Sequence, residues 1–312
     1  MSVRPFDWRD FLALYRHRKK SVFLNSALFL TRGPMLVSGT LISYFMPSFG
    51  IFTCVNDGVD ADGKGIIGQF MHASDSQNAK LSFLTPDELL RAHSISVLIE
   101  YMITLSGERG ALRLLADVDE QSSVLEALRR LSFSIYSRQN IWRFPEKKLE
   151  EQAFRGWRTA RREDVIAIRS LYNNLIPGLV NQVEPFLEQR PKGLVYFQQG
   201  ELLAYVSLRY GRCGIWANPL MHPDMEDIPE ILLDLLEGMP GRSNRPLYFC
   251  VRSYQSWLEI FLEDLGATVS ASQAVMFKHL ALPQKVLRPL ALPSLERGQP
   301  EVSAPIAQVE SK

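Results

Sequence analysis

Two stretches of this sequence follow one plan, Phe83-Leu84-Thr85-Pro86-Asp87 and Leu220-Met221-His222-Pro223-Asp224. In each stretch an apolar strand-like run ends at a Pro-Asp pair. A helical apolar pattern follows and reaches Glu100 in the first stretch and Glu237 in the second. The offset between the two is 137 residues at both the proline and the glutamate. A repeated strand–helix unit predicts that the chain contains two similar halves.

The similarity continues after each helix. The apolar strand Ala111–Ala116 matches Pro246–Val251, and Phe133–Phe144, predicted as a strand pair, matches Ala267–Lys278. Gln139 falls on Gln273, where the offset has drifted to 134. Because a buried amide needs a hydrogen-bond partner, we expect these two glutamines to make a shared structural hydrogen bond.

Turn-forming residues divide the rest of each half into elements. The first half begins with an amphipathic helix at Asp7–Arg18, and an antiparallel meander follows at Met35–Phe45, Gly50–Val55, Gly65–Ala73 and Ala79–Leu84. The second half begins with helices near Asp164–Leu175 and Val183–Glu188, and its strands follow at Gly193–Gln198, Leu202–Tyr210 and Cys213–Met221.

We therefore predict an α/β protein with two tandem domains, each with a mostly antiparallel mixed sheet and helices on both faces. The N-terminal domain spans residues 1–145, and a Lys- and Glu-rich linker spans 146–155. The C-terminal domain spans 156–282. Residues 283–312 are rich in Pro, Ser and Gln without periodicity, which predicts a disordered tail.

The composition excludes several classes of protein. A formal net charge of +1 gives no electrostatic case for binding nucleic acid or an anionic membrane. No apolar run reaches the roughly 20 residues that span a bilayer, and the first twenty residues are too charged for a secretory signal. These patterns predict a cytoplasmic protein.

The cysteines and histidines predict neither a disulfide framework nor a metal site. Three cysteines, Cys54, Cys213 and Cys250, are odd in number, widely separated and set among apolar neighbours. Buried thiols in a reducing compartment are the expectation. The five histidines show no metal-binding spacing with these cysteines.

Short motifs resemble the GCN5-related N-acetyltransferase (GNAT) family. The stretch Trp157–Asp164 is similar to that family's start, where a strand ending in Arg leads through a polar turn to an Asp before a helix. His222-Pro223-Asp224 resembles the point where the central strand gives way to the cofactor helix. Leu262–Ala267, and Leu128–Phe133 in the first half, resemble the close of the last helix. The resemblance covers nearly all of residues 1–282 as two tandem copies.

The resemblance implies a gap between two parallel strands that holds a coenzyme A thioester such as acetyl-CoA. The pantetheine amides would pair with a strand edge, which we expect at Leu81, Ser82, Phe83 and Leu84. The pyrophosphate would rest on the N-terminus of the next helix. There the first copy offers Arg91, His93 and Ser94, whereas the second offers mainly acids, and both lack the family's glycines. The N-terminal copy is therefore the expected cofactor site.

The resemblance also implies a tyrosine that protonates the departing thiolate, but both copies have leucine there, Leu128 and Leu262. The remaining acid–base candidates in the first copy are Asp117, Asp119, Glu120 and Tyr136, with Asp119 or Glu120 as the proton relay. His222 and Tyr254 are the candidates in the second copy.

Two functions follow from these features. The leading prediction is an acyl-CoA-dependent N-acyltransferase that acts on a small-molecule amine, with at most one working site, in the N-terminal copy. The alternative is a catalytically inactive protein of the same fold that binds a small molecule or a partner chain. The acceptor, the acyl group and the oligomeric state stay open.

Overall fold

A single mixed sheet runs through both halves of the chain in the computed structural model, which describes residues 3–17, 19–33, 50–57, 65–90, 92–144, 146, 154–242 and 245–280. The strands of the first half are β1 (Val3–Pro5), β2 (Val22–Phe23), β3 (Ile51–Asn56), β4 (Ile66–His72), β5 (Asn78–Thr85), β6 (Arg113–Asp119) and β7 (Ser134–Phe144). Those of the second half are β8 (Trp157–Thr159), β9 (Gly193–Gln198), β10 (Glu201–Tyr210), β11 (Ile215–Met221), β12 (Leu247–Arg252) and β13 (Thr268–His279).

Helices cover both faces of this sheet. Those of the first half are α1 (Phe11–His17), α2 (Ser26–Arg32), α3 (Ala92–Glu108) and α4 (Ser123–Arg130). Those of the second half are α5 (Val165–Leu175), α6 (Gly178–Val183), α7 (Ile228–Gly238) and α8 (Glu259–Asp264). None of the described helices has the length and apolar character needed to span a bilayer.

The last strand of each half crosses into the sheet of the other half. The order of the sheet is β1-β3-β4-β5-β6-β13-β7-β12-β11-β10-β9-β8. Strand β13 therefore pairs with β6 and β7, and β7 pairs with β13 and β12. The predicted strand pair within Phe133–Phe144 is wrong, because this stretch has no Gly or Pro to reverse the chain and forms one long strand.

The predicted repeat is present in the structure. The series β5-α3-β6-α4-β7 corresponds element by element to β11-α7-β12-α8-β13. Both copies also end their last helix in the same way, since Phe133 N donates to Leu128 O and Ala267 N donates to Leu262 O. The residue before each of these donors has a positive φ, +63° at Ser132 and +86° at Gly266, which only the glycine adopts without strain.

Some expectations differ from the structure or lie outside the described residues. The helix predicted at Val183–Glu188 is instead α6, because Pro177 is tolerated at a helix start and begins this helix rather than breaking it. The predicted strand Met35–Phe45, residues 147–153 of the predicted linker and the predicted tail 283–312 lie outside the described residues. Residues 1–282 form one compact unit, and the domain boundary at residue 145 remains a prediction.

Two faces of the sheet carry different sets of helices. Helices α3 and α4 pack on one face of the first half through residues such as Leu98 and Leu128. The same face of the second half packs against α7 and α8. On the opposite face, α5 and α6 pack against residues of both exchanged strands, Tyr136 on β7 and Val275 on β13. The exchange thus builds side chains of the first half into the core beneath the helices of the second.

Candidate functional site

The gap that the fold provides in the N-terminal copy lies between β5 and β6. These strands pair in parallel only where Asn78–Lys80 face Arg113–Leu115. Beyond this point the two strands separate. A gap of this kind between two parallel strands is where the resemblance places the thioester.

The chain itself fills this gap. Strand β2 pairs with Phe83 and Leu84 of β5. The next residue, Leu24, donates its N–H to Ser82 O and accepts the N–H of Asp117 at its own carbonyl, both at 2.9 Å. Leu24 is fully buried. The separated edges of both strands are therefore hydrogen-bonded to residues 22–24, which we call the gap segment.

A buried polar network holds the residues that follow the gap segment. Ser26 N donates to Asp117 Oδ2 at 3.0 Å, and Ser26 Oγ donates to Gln273 Oε1 at 2.7 Å. Lys80 Nζ lies 2.9 Å from Asp117 Oδ1, and Asp117 is 2% exposed. One oxygen of this buried carboxylate thus accepts a backbone N–H, and the other is ion-paired with Lys80 but accepts no hydrogen bond from a described residue.

The residues predicted to hold coenzyme A do not form an open site. Leu81, Ser82, Phe83 and Leu84 are all fully buried, and their free edge meets the gap segment. Arg91 and the side chains of His93 and Ser94 lie outside the described residues. The turn that would hold the pyrophosphate carries two exposed acids, Asp87 and Glu88, and Glu88 is ion-paired with Lys20. The described residues of the N-terminal copy therefore do not fit the coenzyme.

The structure does not bring Asp119, Glu120 and Tyr136 together, and the fourth candidate, Asp117, lies in the buried network described above. Asp119 and Glu120 lie exposed where β6 ends; Asp119 Oδ1 accepts from Gln121 N, and Glu120 pairs with Arg138 at 2.9 Å. Tyr136 lies instead in the core beneath α5 and α6. Burial, with Glu184 nearby, raises the Tyr136 pKa well above its ordinary value. A shared acid–base role for the three has no geometric basis here.

The C-terminal copy has the equivalent gap between β11 and β12. These strands pair at Ile215–Ala217 and Leu247–Phe249 and then separate. The buried amide of Gln255 occupies the edge of β11, since its Oε1 accepts from Met221 N and its Nε2 donates to Pro219 O, both at 2.9 Å. A side-chain amide thus makes the two hydrogen bonds that a pantetheine amide would need.

The turn before α7 is also unsuited to phosphate. Asp224, Glu226 and Asp227 are exposed there, and Asp227 has φ +54°. Carboxylates at the helix N-terminus repel an anion that its backbone amides would otherwise attract. Among the described residues, neither copy therefore offers a free strand edge to coenzyme A, although both keep the separated strands.

A cavity of about 220 Å³ lies where the gap of the C-terminal copy opens onto α5. Its lining combines aromatic rings, two acids and one arginine. The lining residues used below are Tyr172, Glu184, Phe186, Glu188, Tyr205, Ser207, Asn218, Arg252 and Tyr254. We call this the arginine cavity.

Arg252 is the charged centre of the arginine cavity. It ends β12 and is only 8% exposed. Its Nη2 donates to Glu184 Oε2 at 2.9 Å, while its Nη1 is buried and makes no hydrogen bond to any described residue. A buried N–H group without a partner is unfavourable by about 1–3 kcal/mol. An acceptor atom of a ligand, or a water molecule, would relieve this cost.

Burial sets the ionisation of the groups around Arg252. It raises the pKa of Tyr172 to about 12 and raises those of Tyr205 and Tyr254 further. Burial opposes the charge of Arg252, but Glu184 and Tyr136 bring its pKa well above the ordinary value. The cavity thus presents neutral tyrosine hydroxyls beside a charged arginine–glutamate pair.

Sequence reasoning missed Arg252 and Glu184. A charged residue directly after the apolar run Leu247–Val251 was the available signal, since charged residues are rarely buried unless paired. Tyr254, a sequence candidate, does line the cavity, whereas His222 does not. Among the described residues, no group of His, Cys, Asp and Glu side chains is placed to hold a metal ion.

Solved structures show what this architecture is similar to. A GCN5-related N-acetyltransferase from Sphaerobacter thermophilus matches with a TM-score of 0.53 and 11% identity, over 89% of this chain and 95% of that chain. A tandem GNAT protein from the clavulanic acid biosynthesis pathway, solved without AcCoA, matches with a TM-score of 0.52 and 12% identity, over 89% and 98%. No protein-family model and no curated protein matches the sequence. The chain has the fold of a tandem GCN5-related N-acetyltransferase.

Proposed function

We propose that this protein uses the tandem N-acetyltransferase fold to bind a small molecule in the arginine cavity, without transferring an acyl group from coenzyme A. The observation that carries the proposal is that both strand edges needed by the thioester are hydrogen-bonded within the chain. Leu24 occupies the edge in the first copy and Gln255 in the second.

Opening the N-terminal gap for a cofactor would be costly. It would break two backbone hydrogen bonds of Leu24 and expose a fully buried leucine. Removing a buried leucine side chain typically costs about 2–5 kcal/mol. Among the described residues, the acyltransferase predicted for this copy therefore lacks a free strand edge for the thioester.

The arginine cavity has the features of a binding site. It is concave, it is lined by aromatic and aliphatic side chains, and several polar and charged groups converge in it at the end of a strand. The unpartnered Nη1 of Arg252 would gain a hydrogen bond from a ligand. These features support the inactive alternative predicted from the sequence, in its small-molecule form.

Thermal unfolding with acetyl-CoA tests the first part of the proposal. A ligand that binds only the folded state raises its melting temperature, so acetyl-CoA at about millimolar concentration should leave it unchanged. A rise in melting temperature, accompanied by acetylation of an amine substrate, would contradict the proposal and restore the acyltransferase.

A double variant tests the second part. Arg252→Met with Glu184→Gln removes both charges together, so no unpaired buried charge remains. Small amines and carboxylates that raise the melting temperature of the wild type should lose this effect in the variant. The matched control is Arg138→Met with Glu120→Gln, an exposed pair at the same 2.9 Å separation that does not line the cavity. Stabilisation that survives in the double variant would overturn the site.

A further inference from the structure

The arginine cavity continues into a second and larger cavity. The second cavity has a volume of about 1080 Å³ and shares Glu188, Ser207 and Asn218 with the first. Ser207 on β10 and Asn218 on β11 are directly paired in the sheet, so the two cavities meet across these neighbouring strands. Together they form one groove, which is wider than the arginine cavity alone.

The two ends of this groove carry opposite charge. At the arginine cavity, Glu184 neutralises Arg252, and Glu188 adds a further negative charge beside Tyr205. The second cavity shares Glu188, but its other charged residues are all cations, Arg190, Lys192 and Arg209.

Three cations line one cavity at this end, and all three side chains are exposed to solvent. Like charges gathered in one cavity favour an added anion. Desolvation and the charge of Arg32 lower the pKa of the Arg209 guanidinium, whereas Glu188 and Asp117 act in the opposite direction. A carboxylate bound at Arg209 would offset the positive charge of this cavity.

We infer that the ligand is a small bipolar molecule with an amine at one end and a carboxylate at the other. The amine lies among the tyrosine rings with Glu188, and the carboxylate lies at Arg209. This inference rests on the proposed function, because it assigns the chemistry of a ligand in the same cavity.

Each end has a physical reason for its partner. An ammonium group is attracted both to a carboxylate and to the faces of aromatic rings, here Tyr172, Phe186 and Tyr205. A carboxylate matches the planar fork of an arginine, which binds it with two parallel hydrogen bonds. The smaller volume of the arginine cavity limits the amine end to a compact group.

Isothermal titration calorimetry with a series of ω-amino acids of increasing chain length tests this inference. The probes are compared with n-alkylamines and alkanoates of matching length. We expect one amino acid to bind at least about tenfold more tightly than either matching single-headed probe, because both ends are engaged at once.

Variants then assign the two ends. Arg209→Gln should abolish the advantage of the amino acid over the alkylamine and leave alkylamine binding unchanged. Glu188→Gln should weaken every probe that carries an amine. Ser207→Phe should block the junction and remove the advantage. Arg143→Gln changes an exposed arginine that lines neither cavity, and it should change nothing. Circular dichroism melts confirm that each variant is folded.

The outcomes separate this inference from the proposed function. If alkylamines bind as tightly as every amino acid and lose binding in the Arg252→Met, Glu184→Gln variant, the bipolar ligand is wrong and the proposed function stands. An unchanged amino acid advantage in Arg209→Gln also overturns the inference. If no probe of any length binds, the inference of a bipolar ligand is wrong. Only the acetyl-CoA and double-variant experiments decide the proposed function.

Discussion

Gln139 and Gln273, which are 134 residues apart, lie directly opposite each other on β7 and β13, and Gln139 Nε2 donates to Gln273 Oε1 at 2.9 Å. The two glutamines also occupy the same position in the two copies of the repeat, so equivalent residues of the two copies contact each other. The hydrogen bond predicted for these two glutamines is confirmed. An antiparallel pair of equivalent strands that meets at equivalent residues is related by a local two-fold axis.

The two copies share a second relationship at their starts. Arg4 makes two hydrogen bonds to Asp10, at 2.7 and 2.8 Å, and Arg158 makes two to Asp164 at the same distances. In both, the aspartate also accepts a backbone N–H three residues earlier, from Asp7 and from Arg161. The Arg-to-Asp motif noted in the second copy is therefore present in the first, where sequence reasoning missed it.

The glutamine pair predicts unequal effects of two similar substitutions. Gln273→Leu removes the acceptor of both Gln139 and Ser26. It therefore leaves two buried donors without a partner, which lowers the free energy of unfolding by about 1–3 kcal/mol for each. Gln139→Leu removes one donor and the acceptor of the Cys250 thiol, and it should cost less. Urea unfolding measures both free energies, with the exposed Gln121→Leu as control. Equal losses would contradict this network.

The gap segment predicts that a substitution at Leu24, which lies between β2 and α2, lowers the stability of the fold strongly. Leu24→Ala should lower the free energy of unfolding by about 2–5 kcal/mol, because Leu24 is fully buried between two strands. Leu12→Ala is the matched control, since Leu12 is 58% exposed. Chemical denaturation of both variants checks this, and equal stability would show that the segment does not fill the gap.

The Arg158–Asp164 pair predicts a change in acid stability. Arg158 and the Arg161 N–H hold the Asp164 pKa below its ordinary value. The ionised carboxylate therefore stabilises the fold above the unfolded pKa of about 3.9, and this contribution is lost as the pH falls through the folded pKa. Arg158→Met should be less stable than wild type near neutral pH, and the difference should shrink below about pH 4.

Thermal melts across this pH range measure the effect. Arg161→Met is the comparison, because it keeps the backbone N–H that binds Asp164 and loses only an exposed side-chain charge, whose effect on the Asp164 pKa is smaller than that of Arg158. A difference between Arg158→Met and wild type that stays constant down to the acid limit would contradict the coupling.

The cysteines predict a simple pattern of reactivity. Burial raises the pKa of Cys54 and of Cys250 to about 12, so their thiolates do not form at neutral pH. Cys213 is exposed, and its expected burial was wrong. We expect a thiol reagent such as 5,5′-dithiobis(2-nitrobenzoate) to titrate Cys213 alone in the folded protein and all three thiols in guanidinium. Rapid labelling of Cys250 in the folded state would contradict its burial.

Much of the fold was predictable because its signals are local. Strands such as Gly193–Gln198 agree with the prediction, since their limits depend on apolar patterns and turn residues close by in sequence. The Arg4-to-Asp10 motif was hidden because its offset to the second copy is 154 residues, whereas the repeat that was found has an offset of 137. The first copy has more residues than the second between this motif and the Pro-Asp pair, so the two motifs do not align at the offset of the repeat.

The candidate site was less predictable. The sequence placed the cofactor at Leu81–Leu84, and the tertiary structure instead covers this edge with the gap segment. The arginine cavity depends on Arg252 and Glu184, which are 68 residues apart. Of the residues that line this cavity, the sequence indicates only Tyr254 as a candidate.

The amino-acid sequence by itself determined that one strand–helix unit occurs twice, because apolar periodicity and turn residues act over a few positions. Only the tertiary structure decided that the last strands are exchanged, that Leu24 lies between Ser82 and Asp117, and that Arg252 lines a cavity. These three features depend on contacts between residues far apart in the sequence. Local patterns do not specify such contacts, because an open strand edge can pair with any segment of chain that reaches it.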